Sequence, residues 1–170
     1  VKKFSLITLI ILISLSFISC GSSNNNTDNE TKNEETERKF IGEHGALDDL
    51  DLVVNSVKDT NRIDDEFTYY EPESGKYAVI NVTVKNNSND SASLSNTDFK
   101  LKDSNDAEFI PTSIFHSSNK FMNFDSLNPH LDITTNLLFE IPKESNISDY
   151  RLEYHTFTSE VADSFVLKEK

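Results

Sequence analysis

The side chains here that could carry chemistry are four histidines, one cysteine and 29 acidic residues in a chain of 170. His44, His116, His130 and His155 are scattered, and no H-E-x-x-H sets two of them on one helix face. Glu43 and His44 are adjacent, but a metal centre needs several ligands that converge. Asp103, Asn105 and Asp106 match the opening of a calcium loop. They lack the glycine at its sixth position and the glutamate at its twelfth, so they read as a hairpin turn. Asp48, Asp49 and Asp51 could gather a cation, and read rather as solvent-facing charges at the mouth of a strand. Gly21, Gly42, Gly45 and Gly75 do not make a phosphate-binding loop, and there is no G-x-S-x-G nucleophile elbow. Spacing alone does not argue for paired carboxylates of a glycosidase, since any acidic chain offers pairs. With no nucleophile–base constellation, the chain reads as a non-enzyme with no cofactor and no bound metal.

Aromatics are the more informative side chains. The stretch from Asn61 to Ser74 holds Phe67, Tyr69 and Tyr70 among Asp64, Asp65, Glu66 and Glu71. A second stretch, Pro111 to His130, holds Ile114, Phe115, Phe121, Met122 and Phe124. Aromatics bury large areas, so one role for both is to cap the fold. The other is a binding rim, because recognition surfaces favour Tyr and Phe. A strand connection usually needs only about 2–5 residues. The longer first stretch therefore marks Phe67, Tyr69 and Tyr70 as a candidate partner-binding loop, whose acids would steer a basic partner.

The elements that must position these residues are strands. Apolar side chains recur at every second position, as in half-buried strands. Leu50, Leu52 and Val54 form one such set; Ala78, Ile80, Val82 and Val84 another; Phe99 and Leu101 a third. The longest is Leu131, Ile133, Thr135, Leu137, Phe139 and Ile141, with Asp132, Thr134, Asn136, Leu138 and Glu140 opposite. Phe139 is expected in the core, and Glu140 is expected to be dispensable. Tyr150, Leu152 and Tyr154, then Phe165 and Leu167, complete the series. Asn86 to Asp90 and Asp103 to Asp106 supply turn chemistry, and Pro111, Pro129 and Pro142 fall at strand ends. The expectation is an all-β, antiparallel β-sandwich of about seven strands over residues 40–170.

The first 39 residues differ in kind. Lys2 and Lys3 precede an apolar run from Phe4 to Ile18, followed by Ser19, Cys20 and Gly21. This is the order of a secretory signal, and the run is shorter than the roughly 20 apolar residues of a membrane span. Val1 in place of Met suggests an alternative bacterial start codon. Phe17-Ile18-Ser19-Cys20 resembles the bacterial lipobox, whose cysteine is lipidated and becomes the mature N-terminus; Phe17 stands where leucine is usual. The resemblance implies a signal peptide at 1–19 and a lipid anchor at Cys20. Two or more acyl chains on that cysteine would anchor stably. Residues 21–39 are almost wholly Asn, Ser, Thr, Glu, Asp and Lys. Such a segment cannot offset its ordering entropy and reads as a disordered tether reaching roughly 25 Å.

Lys76 to Ser88, KYAVINVTVKNNS, is followed by Phe99-Lys100-Leu101, Leu127-Asn128-Pro129, Leu138-Phe139-Glu140-Ile141-Pro142 and Leu152-Glu153-Tyr154. In this order and spacing the chain resembles a bacterial extracellular family called domain of unknown function 4352. The resemblance spans roughly Gly42 to Leu167. It implies an immunoglobulin-like sandwich, often on a lipoprotein, and no established catalytic residue. The insertion from Asn61 to Ser74 departs from the family pattern.

Charge and composition narrow the functional classes. The formal net charge is −13, and loss of residues 1–19 removes Lys2 and Lys3 and no acid, giving −15. So acidic a chain lacks the basic footprint of nucleic-acid binding. A single cysteine excludes an internal disulfide. The function expected is that of a non-enzymatic binding or accessory domain, held by lipid on the outer face of a bacterial cell membrane, with an envelope protein as its partner. The alternative is a small-ligand or cation-binding lipoprotein serving a transporter.

Overall fold

Alternating side chains sort the chain into two packed sheets. The computed structural model describes residues 38–47, 49–118, 120–155 and 161–170. Residues 1–37, including Cys20, lie outside them. Thirteen strands occur among the described residues: β1 (Arg38–Phe40), β2 (His44–Leu47), β3 (Leu50–Thr60), β4 (Ile63–Asp64), β5 (Tyr69–Tyr70), β6 (Lys76–Asn86) and β7 (Ala92–Ser95), then β8 (Phe99–Lys102), β9 (Glu108–Phe109), β10 (Phe124–Leu127), β11 (Asp132–Ile141), β12 (Arg151–His155) and β13 (Val161–Val166). That exceeds the seven expected, because short β1, β2 and β9 extend the sheet edges and β4, β5, β7 and β10 form two separate pairs. One sheet runs β11-β6-β3-β2 and the other β1-β13-β12-β8-β9; β10 pairs with β7 and β4 with β5. Pairing is antiparallel except for β1, which runs parallel to β13.

The core lies between the sheets. Leu52, Val54, Ala78, Ile80, Val82, Leu137, Phe139 and Ile141 from the four-stranded sheet meet Phe99, Leu101, Leu152, Tyr154 and Phe165 from the other. These are the inward positions that the period of two predicts. Phe139 has no solvent exposure.

Three polar devices fix the chain around this core. Asn86 is fully buried at the end of β6. Its amide donates to the carbonyls of Asp90 and Leu127 at 2.8 and 3.0 Å and accepts from the Ser88 backbone, closing the turn that its sequence predicts. Asp103 accepts the amides of Asn105 and Ala107, so its carboxylate serves a hairpin turn between β8 and β9, with Asp106 at positive φ. Gly45 on β2 leaves room for the Asp163 carboxylate, which accepts the Ala46 N–H at 2.9 Å; a Cβ at position 45 would stand 2.3 Å from it.

Candidate functional site

The outer face of the four-stranded sheet departs from simple alternation. Tyr77, Val79 and Leu138 point outward yet are buried, because Ile63 and Ile114 cover them and Tyr70 and Phe121 pack alongside. The stretch from Asn61 to Ser74 is therefore a folded lid. Strands β4 and β5 make a hairpin, and the Asp65 N–H donates to the Thr68 carbonyl across its tip at 2.9 Å.

The hairpin is tied to the loop before β10. The Asp65 carboxylate accepts both the N–H and the hydroxyl of Ser117, the former at 3.0 Å. Those bonds, led by the hydroxyl, hold the Asp65 carboxyl below the usual carboxylate range. His116 donates from Nε2 to the Asp64 carbonyl at 3.0 Å, which leaves Nδ1 to accept the Ser118 N–H at 3.2 Å. The Tyr70 hydroxyl donates to the Phe115 carbonyl.

A carboxylate locks the far end of the lid. Glu140 on β11 accepts the amides of Ser74 and Gly75, each at 2.8 Å, and of Glu73 at 3.1 Å. These bonds, led by that from Ser74, hold its carboxyl below the usual range against the opposing effect of burial. The chain must pass close to β11 here: a Cβ on Gly75 would lie 2.1 Å from the Ile141 carbonyl oxygen. Glu140 is thus a structural clamp, and its three bonds argue against the expectation that it is dispensable.

Of the three candidate loop aromatics, two face solvent and one does not. Phe67 at the hairpin tip is 86% exposed, and Tyr69 is 54% exposed with the Arg62 guanidinium 4.5 Å above its ring. Tyr70 is half-buried in the outer cluster. Phe115, on the loop tied to the hairpin, is 87% exposed. The other aromatic stretch divides similarly, with Ile114 and Met122 buried. Nothing in a one-dimensional pattern separates Phe115 from Phe121; the tie between two loops 52 positions apart does.

Several of the histidines and acids considered for chemistry have structural partners, while Asp48 lies outside the described residues. Glu43 accepts the Phe40 N–H and pairs with Lys170, while His44 bonds Asp51 at 2.9 Å, so Glu43 and His44 serve different partners. Among the described residues, no group of three or more His, Cys, Asp or Glu side chains could hold a metal ion. A cleft of about 540 Å³ lies on the five-stranded sheet, lined by Arg38, Asp106, Asp149, Arg151, Glu153 and Ser164 among others. Its charges are largely engaged with each other. Arg151 pairs with Asp106 and with Glu153, and Lys102 reaches Glu153 at 2.9 Å. Burial pushes the Glu153 carboxyl up, but the bonds from Lys102 and Arg151 outweigh it and leave the group below its ordinary range. Among the described residues, no helix is long and apolar enough to cross a membrane.

The fold recurs in solved structures. The yjhA protein of Bacillus subtilis is 26% identical, with a TM-score of 0.53 over 74% of this chain and 84% of its own. The secreted protein MPT63 of Mycobacterium tuberculosis aligns over 77% of this chain and 97% of its own, with a TM-score of 0.59 at 10% identity. The "putative lipoprotein" ycdA of Bacillus subtilis aligns over 71% of this chain but only 36% of its own, with a TM-score of 0.51 at 19% identity. No curated protein matches the sequence. The family model described as Domain of unknown function (DUF4352) matches residues 40–163, and the chain belongs to that family.

Proposed function

We propose that this chain is an extracytoplasmic binding domain, anchored by lipid at Cys20, that docks an envelope protein through Phe67, Tyr69 and Phe115. The observation that carries the reading is the exposure of Phe67 and Phe115 on segments that hydrogen bonds hold together. A large apolar side chain in water forgoes burial energy, and clusters of them mark interaction surfaces. Glu66 and Glu71 lie exposed in the same lid, so the partner suited to the site is basic, and association falls with added salt. The names of the secreted and lipoprotein structural neighbours agree with an outer-surface location. For the anchor, the test is Cys20→Ala. Its expected result is release to the medium or an unprocessed precursor, and an intact Val1 on the wild-type membrane form contradicts the reading. For docking, the test is cross-linking on native membranes with wild type and with Phe67→Ala/Tyr69→Ala/Phe115→Ala. The triple variant should stay folded and lose the cross-linked species; the same species at unchanged yield contradicts it.

A further inference from the structure

Two rows of the four-stranded sheet's outer face, those of Asn81 and Thr83, carry no charged side chain across three strands. Asn55, Asn81, Thr83, Thr134 and Asn136 meet there through their side chains. The Asn55 amide donates to the Asn81 carbonyl oxygen and the Thr83 hydroxyl, both at 2.9 Å. Asn81 donates to the Asn136 side chain at 2.9 Å, and the Thr83 and Thr134 hydroxyls are 2.8 Å apart. Asn136 passes the network on to the Lys120 carbonyl at 2.9 Å.

A backbone irregularity builds part of this lattice. The register between β3 and β6 shifts between Val54 and Ser56, so Asn55 has no ladder partner. Such bulges re-aim side chains, and this one turns Asn55 onto its neighbours across the strand. The lattice stands out in a chain in which 26% of residues are charged. Charge resumes one row away on either side, where Asp51, Lys85 and Asp132 lie side by side and where exposed Lys58 stands beside Val79. At its other border, Phe121 is bridged to Asn136 and stays half-exposed.

From this arrangement we infer a second binding site, for a neutral polysaccharide. Fixed amides and hydroxyls match a ligand made of hydroxyl groups, and their mutual bonds remove the entropic cost of ordering them on binding. The Phe121 ring at the border, packed on the outer cluster and against His116 yet half-exposed, adds apolar surface beside the lattice. The lattice itself offers hydroxyls and amides but no ion, and the charges that border it are of both signs, so it favours a neutral polymer and differs from the acidic lid. The residues are different from those of the aromatic tip, so either site can fail without the other.

The test is native gel electrophoresis of residues 20–170 with Cys20→Ser, in gels containing hydroxyethyl cellulose, galactomannan or glycol chitin. At least one polymer should retard wild type, and the retardation should survive high salt. Asn55→Ala with Thr134→Ala should migrate as in a polymer-free gel, and so should Thr134→Glu, which sets a charge on the face without touching the core. Phe67→Ala with Tyr69→Ala should be retarded like wild type. Lack of retardation by all three polymers overturns the inference. So does retardation that salt abolishes, or that persists in both face variants while they melt like wild type.

Discussion

The Asp65 carboxylate accepts the backbone N–H of Ser117 at 3.0 Å, across 52 positions of sequence. This bond ties the hairpin that carries Phe67 to the loop that carries Phe115. Removing it should free both segments while leaving the sheets alone. In Asp65→Ala, amide hydrogen exchange should quicken at Ser117 and through residues 63–70, with protection of β6 and β11 unchanged. Unchanged exchange in the lid would show that apolar packing alone holds it.

Glu140 should matter despite its place on the outward face. Glu140→Ala leaves three amides of the lid without their acceptor. Chemical denaturation should show a loss of about 1–2 kcal/mol, kept modest because water reaches the site. Wild-type stability in this variant would mean that water replaces the carboxylate without cost.

Acid should erase that difference. The folded-state pKa of Glu140 is depressed, so its contribution is fully present above the unfolded value of about 4.3 and is lost as pH falls through the folded value. Glu153 acts with the same sign. Asp98 acts with the opposite sign, since burial raises it and its contribution is lost as pH rises through its folded value. The melting temperatures of wild type and Glu140→Gln should therefore differ at neutral pH and converge toward pH 3. A constant gap across that window would contradict the linkage.

The inner faces of the sheets were legible because burial on one side imposes a period of two, as in Leu137, Phe139 and Ile141. The outer cluster was not. Val79 and Leu138 alternate with core residues, so position alone assigns them to solvent; their cover arrives from loops far away in sequence. The one local sign was the unbroken apolar run from Tyr77 to Ile80. Strands β7 and β10 leave little trace in the sequence because Ser93, Ser95, Asp125 and Ser126 thin out their apolar pattern, and they pair with each other. Parallel pairing of β1 with β13 joins the two ends of the domain and leaves no local trace. As for the candidate site, Phe67 and Tyr69 were readable from composition, whereas the half-burial of Tyr70 and the exposure of Phe115 depend on how the lid closes.

Both faces of β11 should therefore carry stability. Phe139→Ala empties the main core and should cost about 3–5 kcal/mol, while Leu138→Ala empties the outer cluster and should cost about 2–5 kcal/mol. Urea denaturation of residues 20–170 with Cys20→Ser, which keeps β1 whole, measures both. A near-neutral Leu138→Ala would mean that the lid does not pack as described.

Tyr70→Ala should lower the melting temperature, since the ring packs into the outer cluster and its hydroxyl reaches the Phe115 carbonyl. Phe67→Ala with Tyr69→Ala should not, because those rings face water. Thermal melts of the two variants make the comparison. Equal destabilisation would mean that the exposed rings also hold the fold.

The central claim is that a folded lid presents aromatic side chains to a basic envelope protein. The most direct measurement is quantitative cross-linking on native membranes at low and high salt, comparing wild type with Phe67→Ala/Tyr69→Ala/Phe115→Ala at matched abundance and melting temperature. The account predicts one cross-linked species that weakens with salt and disappears in the triple variant. A species that forms equally with the triple variant, or that is indifferent to salt, would contradict it.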